Sequence, residues 1–239
     1  MDDSELFAAA QRLPSTRRPL LGLTILVIED SRYACEALRL LCLRSGARIR
    51  RADCLKSARR HLQVYRPSVV ITDVGLPDGS GIDLIREMNV ARPRVRIILA
   101  ISGDENVEDA SLAAGADGFL AKPITSLAAF QNAILSRLPD DNQPSGPRQI
   151  TDETVEPDPI AFLDDMAHAA DVLNQTREEK SLDYLAQFIG GVARSAGDHP
   201  LAKAAENLAR ARSEGRPVAG VAAVVAGLVQ ERLERKIAI

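Results

Sequence analysis

The hydrophobic pattern of this chain changes character along its length. Between residues 21 and 138 short apolar runs alternate with helical stripes, whereas from residue 160 onward only helical stripes remain. The runs Leu23–Ile28, Val69–Thr72 and Ile97–Ile101 are almost wholly apolar or β-branched. That pattern suits strands covered on both faces, as in a parallel sheet. Ala47–Ala52 and Gly118–Ala121 are weaker strand candidates. Between them lie helical patterns. One carries Leu38, Leu41 and Ser45 and stops at Gly46, a C-cap residue. The others run over Leu55–Tyr65, Gly81–Asn89, Asn106–Ala114 and Ser126–Leu138. Five successive βα units predict an α/β fold, a doubly wound five-stranded parallel sheet with helices on both faces.

The remaining segments read differently. Residues 1–20 form a leader in which Ser4 caps a brief helix through Gln11, ahead of the helix-breaking Pro14 and Pro19. Residues 139–159 (PDDNQPSGPRQITDETVEPDP) hold five prolines and six acidic residues, the composition of a linker. Residues 160–239 carry four amphipathic stripes. These are Ile160, Leu163, Met166, Ala170 and Leu173; then Leu182, Leu185, Ile189, Val192 and Ala196; then Leu201, Ala205 and Leu208; then Val221, Val225 and Leu228. The short connections Asp198–Pro200 and Glu214–Pro217 favour an antiparallel, all-α four-helix bundle.

Composition narrows the function. An apolar fraction of 46% and a charged fraction of 26% are ordinary for a soluble globular chain. A net charge of −3, 3% aromatics and no Trp give no sign of a nucleic-acid surface. Cys35, Cys42 and Cys54 have neither disulfide nor zinc spacing; they read as buried small hydrophobes in a reducing compartment, the cytoplasm. The opening Met-Asp-Asp-Ser-Glu lacks the apolar core of a signal peptide. The longest uncharged stretch of membrane character, Pro217–Val229, falls short of the roughly 18 residues a membrane span needs, so no membrane association is expected.

In a doubly wound sheet the chemistry sits at the carboxyl ends of the strands. The first strand ends in Glu29-Asp30, the third in Asp73 (VVITDVGLPDGSG), the fourth in Ser102 (IILAISGD), and Lys122-Pro123 follows the fifth (GADGFLAKPI). Three carboxylates, a hydroxyl and an amine thus converge on one sheet edge. Clustered carboxylates repel one another, which a divalent cation relieves. An oxygen-only donor set favours Mg2+. A carboxylate in line with a phosphate can act as nucleophile and form an acyl phosphate. Lys122 would pair with one phosphoryl oxygen and Ser102 would donate to another. Each position also has a plainer reading: Asp73 as a turn or cap residue, Lys122 as a solvated charge, Phe119 as core. Asp78-Gly79 and Ser80-Gly81 read as turn chemistry only.

Taken together, the acidic pair, the D-x-x-L-P-D-G-S-G loop, the hydroxyl after strand four and the aromatic-x-x-Lys-Pro ending make residues 21–138 resemble the receiver domain of two-component response regulators. The resemblance implies a flavodoxin-like fold with Asp73 as phosphoacceptor. It implies Mg2+ held by Glu29 or Asp30, by Asp73 and by the backbone carbonyl of Gly75. It makes Ser102 and Phe119 the switch and a histidine kinase or histidine phosphotransfer protein the partner. It also implies no enzyme activity beyond self-phosphorylation and autodephosphorylation. Ser stands at 102 where Thr is more frequent, within the family's range.

The run LAQFIGGVARSAGDHPLAKAAENLARA is similar to a histidine phosphotransfer domain, with Ala186–Gly197 and Leu201–Leu208 falling on its pattern without gaps. Gln187 then stands at the position of the phosphorylatable His and Gly190 at that of the Lys. An amide is no substitute for a nucleophilic imidazole, so the resemblance implies a degenerate domain that keeps the shape without the chemistry. His168 (MAHAADVL) lacks the neighbours of a phosphoacceptor, and His199 reads as a helix-start residue. Arg210, Arg212 and Arg216 are interrupted by Glu214 and form no recognition helix. The expected output is protein–protein contact, with a partner or a second copy. The alternatives are a DNA-binding regulator and a relay through His168.

Overall fold

The computed structural model describes residues 14–139, 143–144, 152–175 and 179–235. The helix expected from Ser4 to Gln11 lies outside the described residues. The N-terminal domain is a parallel sheet of β1 (Thr24–Ile28), β2 (Arg48–Ala52), β3 (Val69–Asp73), β4 (Ile97–Ser102) and β5 (Gly118–Ala121), in the order β2-β1-β3-β4-β5. Its helices are α1 (Arg32–Ser45), α2 (Leu55–Val64), α3 (Gly81–Val90), α4 (Glu108–Ala113) and α5 (Leu127–Leu135).

The period-two alternation of the strands divides the core in two. Ile25, Val27, Val69, Ile71, Ile97 and Leu99 pack with Leu38, Leu41, Phe130 and Ile134 of α1 and α5. Leu26, Ile28, Val70, Ile98 and Ala100 pack on the opposite face with Ala58, Leu84, Ile85 and Met88 of α2 and α3. β3 and β4 are buried at every position, which explains their unbroken apolar runs. β2 is an edge strand of sequence RIRRA with one buried residue, so its sequence signal is weak. β3 and β4 each extend one residue past the apolar run, because the ladder continues through Asp73↔Ile101 and Ser102↔Ala121. α1 ends at Gly46, whose φ of 82° lies in the left-handed region that glycine adopts without strain.

The segment expected as a free linker is partly docked. Val155 is buried in the α1–α5 core. The Val155 N–H donates to the Thr125 carbonyl and the Leu127 N–H to the Glu153 carbonyl. Glu153 also pairs with Arg44. A single apolar side chain and two backbone hydrogen bonds beside the start of α5 dock residues 153–155.

The C-terminal domain is a ring of four helices: α6 (Pro159–Gln175), α7 (Glu179–Ser195), α8 (His199–Ser213) and α9 (Ala219–Glu234). Each packs on the next, and α9 closes against α6. α6 starts one residue before the expected boundary, with Pro159 in its first turn, where the missing N–H is harmless. Met166, Leu185, Ile189, Val192, Leu201, Ala205, Leu208, Val225 and Val229 fill the interior. Ile160, expected in the stripe of α6, is 53% exposed. The opposite face of α6 instead meets the first domain: Phe162 lies edge-on to Tyr33 of α1, ring centroids 6.0 Å apart. The two domains pack through α6 and α7 on α1, and through α7 on a short antiparallel ribbon, Gly75–Leu76 with Gly79–Ser80. Among the described residues no helix is long and apolar enough to cross a membrane.

Candidate functional site

Parallel strands end together, and here their ends carry the polar residues. Glu29 and Asp30 follow β1, Asp73 and Ser102 are the last residues of β3 and β4, and Lys122 follows β5. The Lys122 N–H donates to the Ser102 carbonyl at 2.8 Å, which continues the β4–β5 pairing and sets the lysine over the sheet edge. Its ammonium lies 2.8 Å from Asp73 Oδ2 and 2.6 Å from Glu29 Oε2. Asp73 Oδ1 accepts the Gly75 N–H at 3.3 Å. A Cβ at Gly81 would stand 1.9 Å from the Asp73 carbonyl oxygen, so only glycine lets the loop return this closely beneath the aspartate.

Glu29, Asp30 and Asp73 each place one carboxylate oxygen within 4.8 Å of the others. One ammonium faces these three acids. Burial, opposed by Lys122 and reinforced by the Asp73 and Asp30 charges, pushes the Glu29 carboxyl up to about 8. Burial likewise pushes Asp30 up to about 6, against a hydrogen bond from Tyr184 that favours its charged form. Burial works against the Lys122 charge, but Asp73 and Glu29 outweigh it and hold the ammonium above the ordinary lysine value. The site therefore has more negative charge than its own cation balances, and its donors are all oxygens. That combination fits a hard divalent cation.

Ser102 is buried, and its Oγ accepts the Asp104 N–H at 3.0 Å. Phe119 sits beside Ala100 on β5, half-buried against the α2–α3 core. Gly75 opens the ribbon beside Asp73. Asp78 caps α2 from across the loop, accepting from the Leu55 and Lys56 N–H groups at 2.7 and 2.9 Å, because Cys54 offers that helix no side-chain cap.

Residues of the second domain also reach this face. The Tyr184 hydroxyl donates to Asp30 Oδ2 at 2.5 Å. The buried Asp165 accepts from Ser31 Oγ at 2.7 Å, from the Arg32 N–H at 2.8 Å and from the Tyr33 N–H at 3.0 Å, which caps the N-terminus of α1. Gln187 lies against Gly75. Of these only Gln187 stood out in the sequence. Tyr184 and Asp165 belong to no motif, and the one available hint was an acidic pair and a tyrosine on otherwise ordinary helices.

Comparison with known proteins now settles the family. A model described as the response regulator receiver domain matches residues 25–134. Residues 25–134 belong to the response regulator receiver family. The chain is 30% identical over 162 residues to the KDP operon transcriptional regulatory protein KdpE of Escherichia coli (strain K12), covering 66% of each chain. It is 43% identical over 75 residues to the transcriptional regulatory protein CitB of Klebsiella pneumoniae, covering 30% of this chain and 32% of that one. The chain thus spans about two thirds of one relative and a third of the other. Among solved structures, the receiver domain of the sensor histidine kinase PA1611 from Pseudomonas aeruginosa PAO1, with magnesium in its active-site cleft, is 25% identical and covers 46% of this chain and 93% of its own, with a TM-score of 0.42. A two-component response regulator from Clostridium difficile is 21% identical, covering 51% and 99%, with a TM-score of 0.45.

Proposed function

We propose that this chain is a phosphorylation-controlled signalling protein of two-component type, in which Asp73 accepts a phosphoryl group and the helical domain carries the output. The observation that carries the reading is Asp73 at the end of β3, bridged by Lys122 to Glu29 and flanked by Asp30. An Asp73 carboxylate oxygen attacks phosphorus and forms a new O–P bond. The bond from phosphorus to the donor nitrogen breaks, and the donor imidazole keeps the electron pair. Lys122 then pairs with a phosphoryl oxygen, and the Ser102 hydroxyl turns from Asp104 to donate to another. Glu29, Asp30, Asp73 and the Gly75 carbonyl would hold Mg2+, whose charge offsets that of the phosphoryl group. Phe119 follows Ser102 inward and alters the face of α4, β5 and α5. Phosphorylation adds about −1.5 to −2 charges at the sheet edge. The donor is a histidine kinase or a phosphotransfer protein, the compartment is the cytoplasm, and no catalytic turnover follows beyond loss of the phosphoryl group.

Labelling with acetyl phosphate and Mg2+ tests this. The expected label is stable in acid, labile in base and absent from Asp73→Asn. A label unaffected by that substitution overturns the assignment, and an acid-labile label lost in His168→Ala replaces it with a relay. The names of the relatives support a second reading, transcriptional regulation through DNA. Against it, Arg212 pairs with Asp183, Arg216 with Glu214 and Arg232 with Asp198, so much of the bundle's positive charge is matched within the domain. Salt-dependent retention on duplex DNA would favour that second reading.

A further inference from the structure

The helical domain covers the face from which Asp73 is reached. The glycines after β3 and β4 flank the site, and each has a bundle side chain seated where a Cβ would stand. Gln187 Nε2 is 1.9 Å from that position at Gly75, and Arg194 Nη2 is 2.7 Å from it at Gly103. Gln187 and Arg194 are two turns apart on α7, and Tyr184 lies one turn before Gln187, so a single helix face spans the site. Tyr184 holds Asp30, a carboxylate of the acidic trio. Asp165 locks α6 to the start of α1, directly after Glu29 and Asp30. Asp73 itself is only 7% exposed. A cavity of about 1050 Å3 runs along the seam and is lined by Asp30, Asp165, His168 and Tyr184, but Asp73 does not line it.

We infer that the C-terminal bundle is an intramolecular cover on the phosphorylation face, held by Tyr184 and Asp165, which lifts when Mg2+ takes Asp30 and when a phosphodonor protein docks over Asp73. The inference rests on the assignment of Asp73 as phosphoacceptor and adds its regulation. Small ions reach the Tyr184–Asp30 bond through the seam. A protein donor must occupy the surface that α7 now fills, so donor and bundle compete for it. The bundle cannot serve as donor itself, since the residue it presents at Gly75 is an amide.

The test uses the full chain. Mg2+ is titrated calorimetrically into wild type, Tyr184→Phe and Asp165→Ala, and hydrogen exchange is followed at the Arg32 and Tyr33 amides with and without Mg2+ plus beryllofluoride. Tyr184→Phe removes one hydroxyl and keeps the ring. A hydrogen bond to a charged group corresponds to about tenfold in affinity, so both variants should bind Mg2+ about tenfold more tightly. In wild type, the two amides should exchange at least about tenfold faster once Mg2+ and beryllofluoride are bound, because their acceptor Asp165 departs. Unchanged Mg2+ affinity in both variants, or amides that stay protected at saturation, overturns the cover. Acetyl phosphate labelling separates the two levels of the argument. A label on Asp73 that forms no faster in Tyr184→Phe than in wild type removes the cover and leaves the phosphoacceptor standing. No label on Asp73 in any of the proteins removes both.

Discussion

Lys122→Met tests the electrostatics of the site directly. The ammonium sits 2.6 Å from Glu29 Oε2 and 2.8 Å from Asp73 Oδ2, with the three side chains 7%, 1% and 10% exposed. At an effective dielectric of about 20, each contact is worth roughly 6 kcal/mol before desolvation. Desolvating the ammonium cancels much of that, and removing one member of a buried ion pair nets a loss of about 3–5 kcal/mol. Methionine matches the stem in length and packing, so the loss reports charge. Glu29 limits it: already pushed up to about 8, its carboxyl takes a proton when Lys122 is gone. A carboxyl raised in the folded state stabilises it at low pH and loses that contribution as pH rises toward the folded value. Wild type and variant both lose it between about pH 4.5 and about pH 8, so the deficit of the variant should widen above about pH 8, where Glu29 ionises beside Lys122 but keeps its proton without it. Urea unfolding followed by far-UV circular dichroism, in chelator and in Mg2+, measures it. The expected result is a loss near 3 kcal/mol at neutral pH in chelator, partly restored by Mg2+. A variant within about 1 kcal/mol of wild type at all pH values, with no response to Mg2+, would refute the picture of two buried carboxylates sharing one cation.

Other outcomes follow from the same geometry. Gln187→His, loaded with acetyl phosphate and Mg2+, should carry an acid-stable label on Asp73 alone, because the bundle that holds residue 187 against Gly75 lifts as the site is loaded. That label should vanish when Asp73→Asn is added. An acid-labile label, formed as the imidazole takes the phosphoryl group and the Asp73 O–P bond breaks, would show that α7 stays over the phosphoacceptor. Asp198→Ala removes the cap of α8 and the partner of Arg232, whose guanidinium lies 2.8 Å away. It should lower bundle stability by roughly 1–3 kcal/mol in thermal unfolding. Arg232 holds the Asp198 carboxyl below its ordinary value of 3.8, so this contribution is present above that pH and is lost as pH falls through the depressed value.

The sheet and its chemistry were written locally. β1, β3 and β4 are unbroken apolar runs because both their faces are buried, and each is followed or ended by the polar residue the site uses. Strand ends in a parallel sheet share one edge, so order along the chain was enough to gather Glu29, Asp30, Asp73, Ser102 and Lys122. The four helices of the second domain were legible for a similar reason, since helical periodicity reports which face is buried. Ile160 falls in the stripe of α6 yet is exposed, because it stands in the helix's first turn and a stripe cannot say how far along a helix the burying neighbours extend. Val155 was hidden because a single apolar residue in an acidic, proline-rich stretch has no period.

Sequence alone thus determined the five-stranded fold, the helical second domain and the residue types at the sheet edge, because each depends on spacing within a few turns or one strand. Only the tertiary structure decided that Lys122 bridges Glu29 and Asp73, and that Tyr184, Asp165 and Gln187 reach across to the first domain. Those contacts join residues 49 to 154 positions apart. Their strength comes from burial, charge and fit between two surfaces, which no local pattern along the chain encodes.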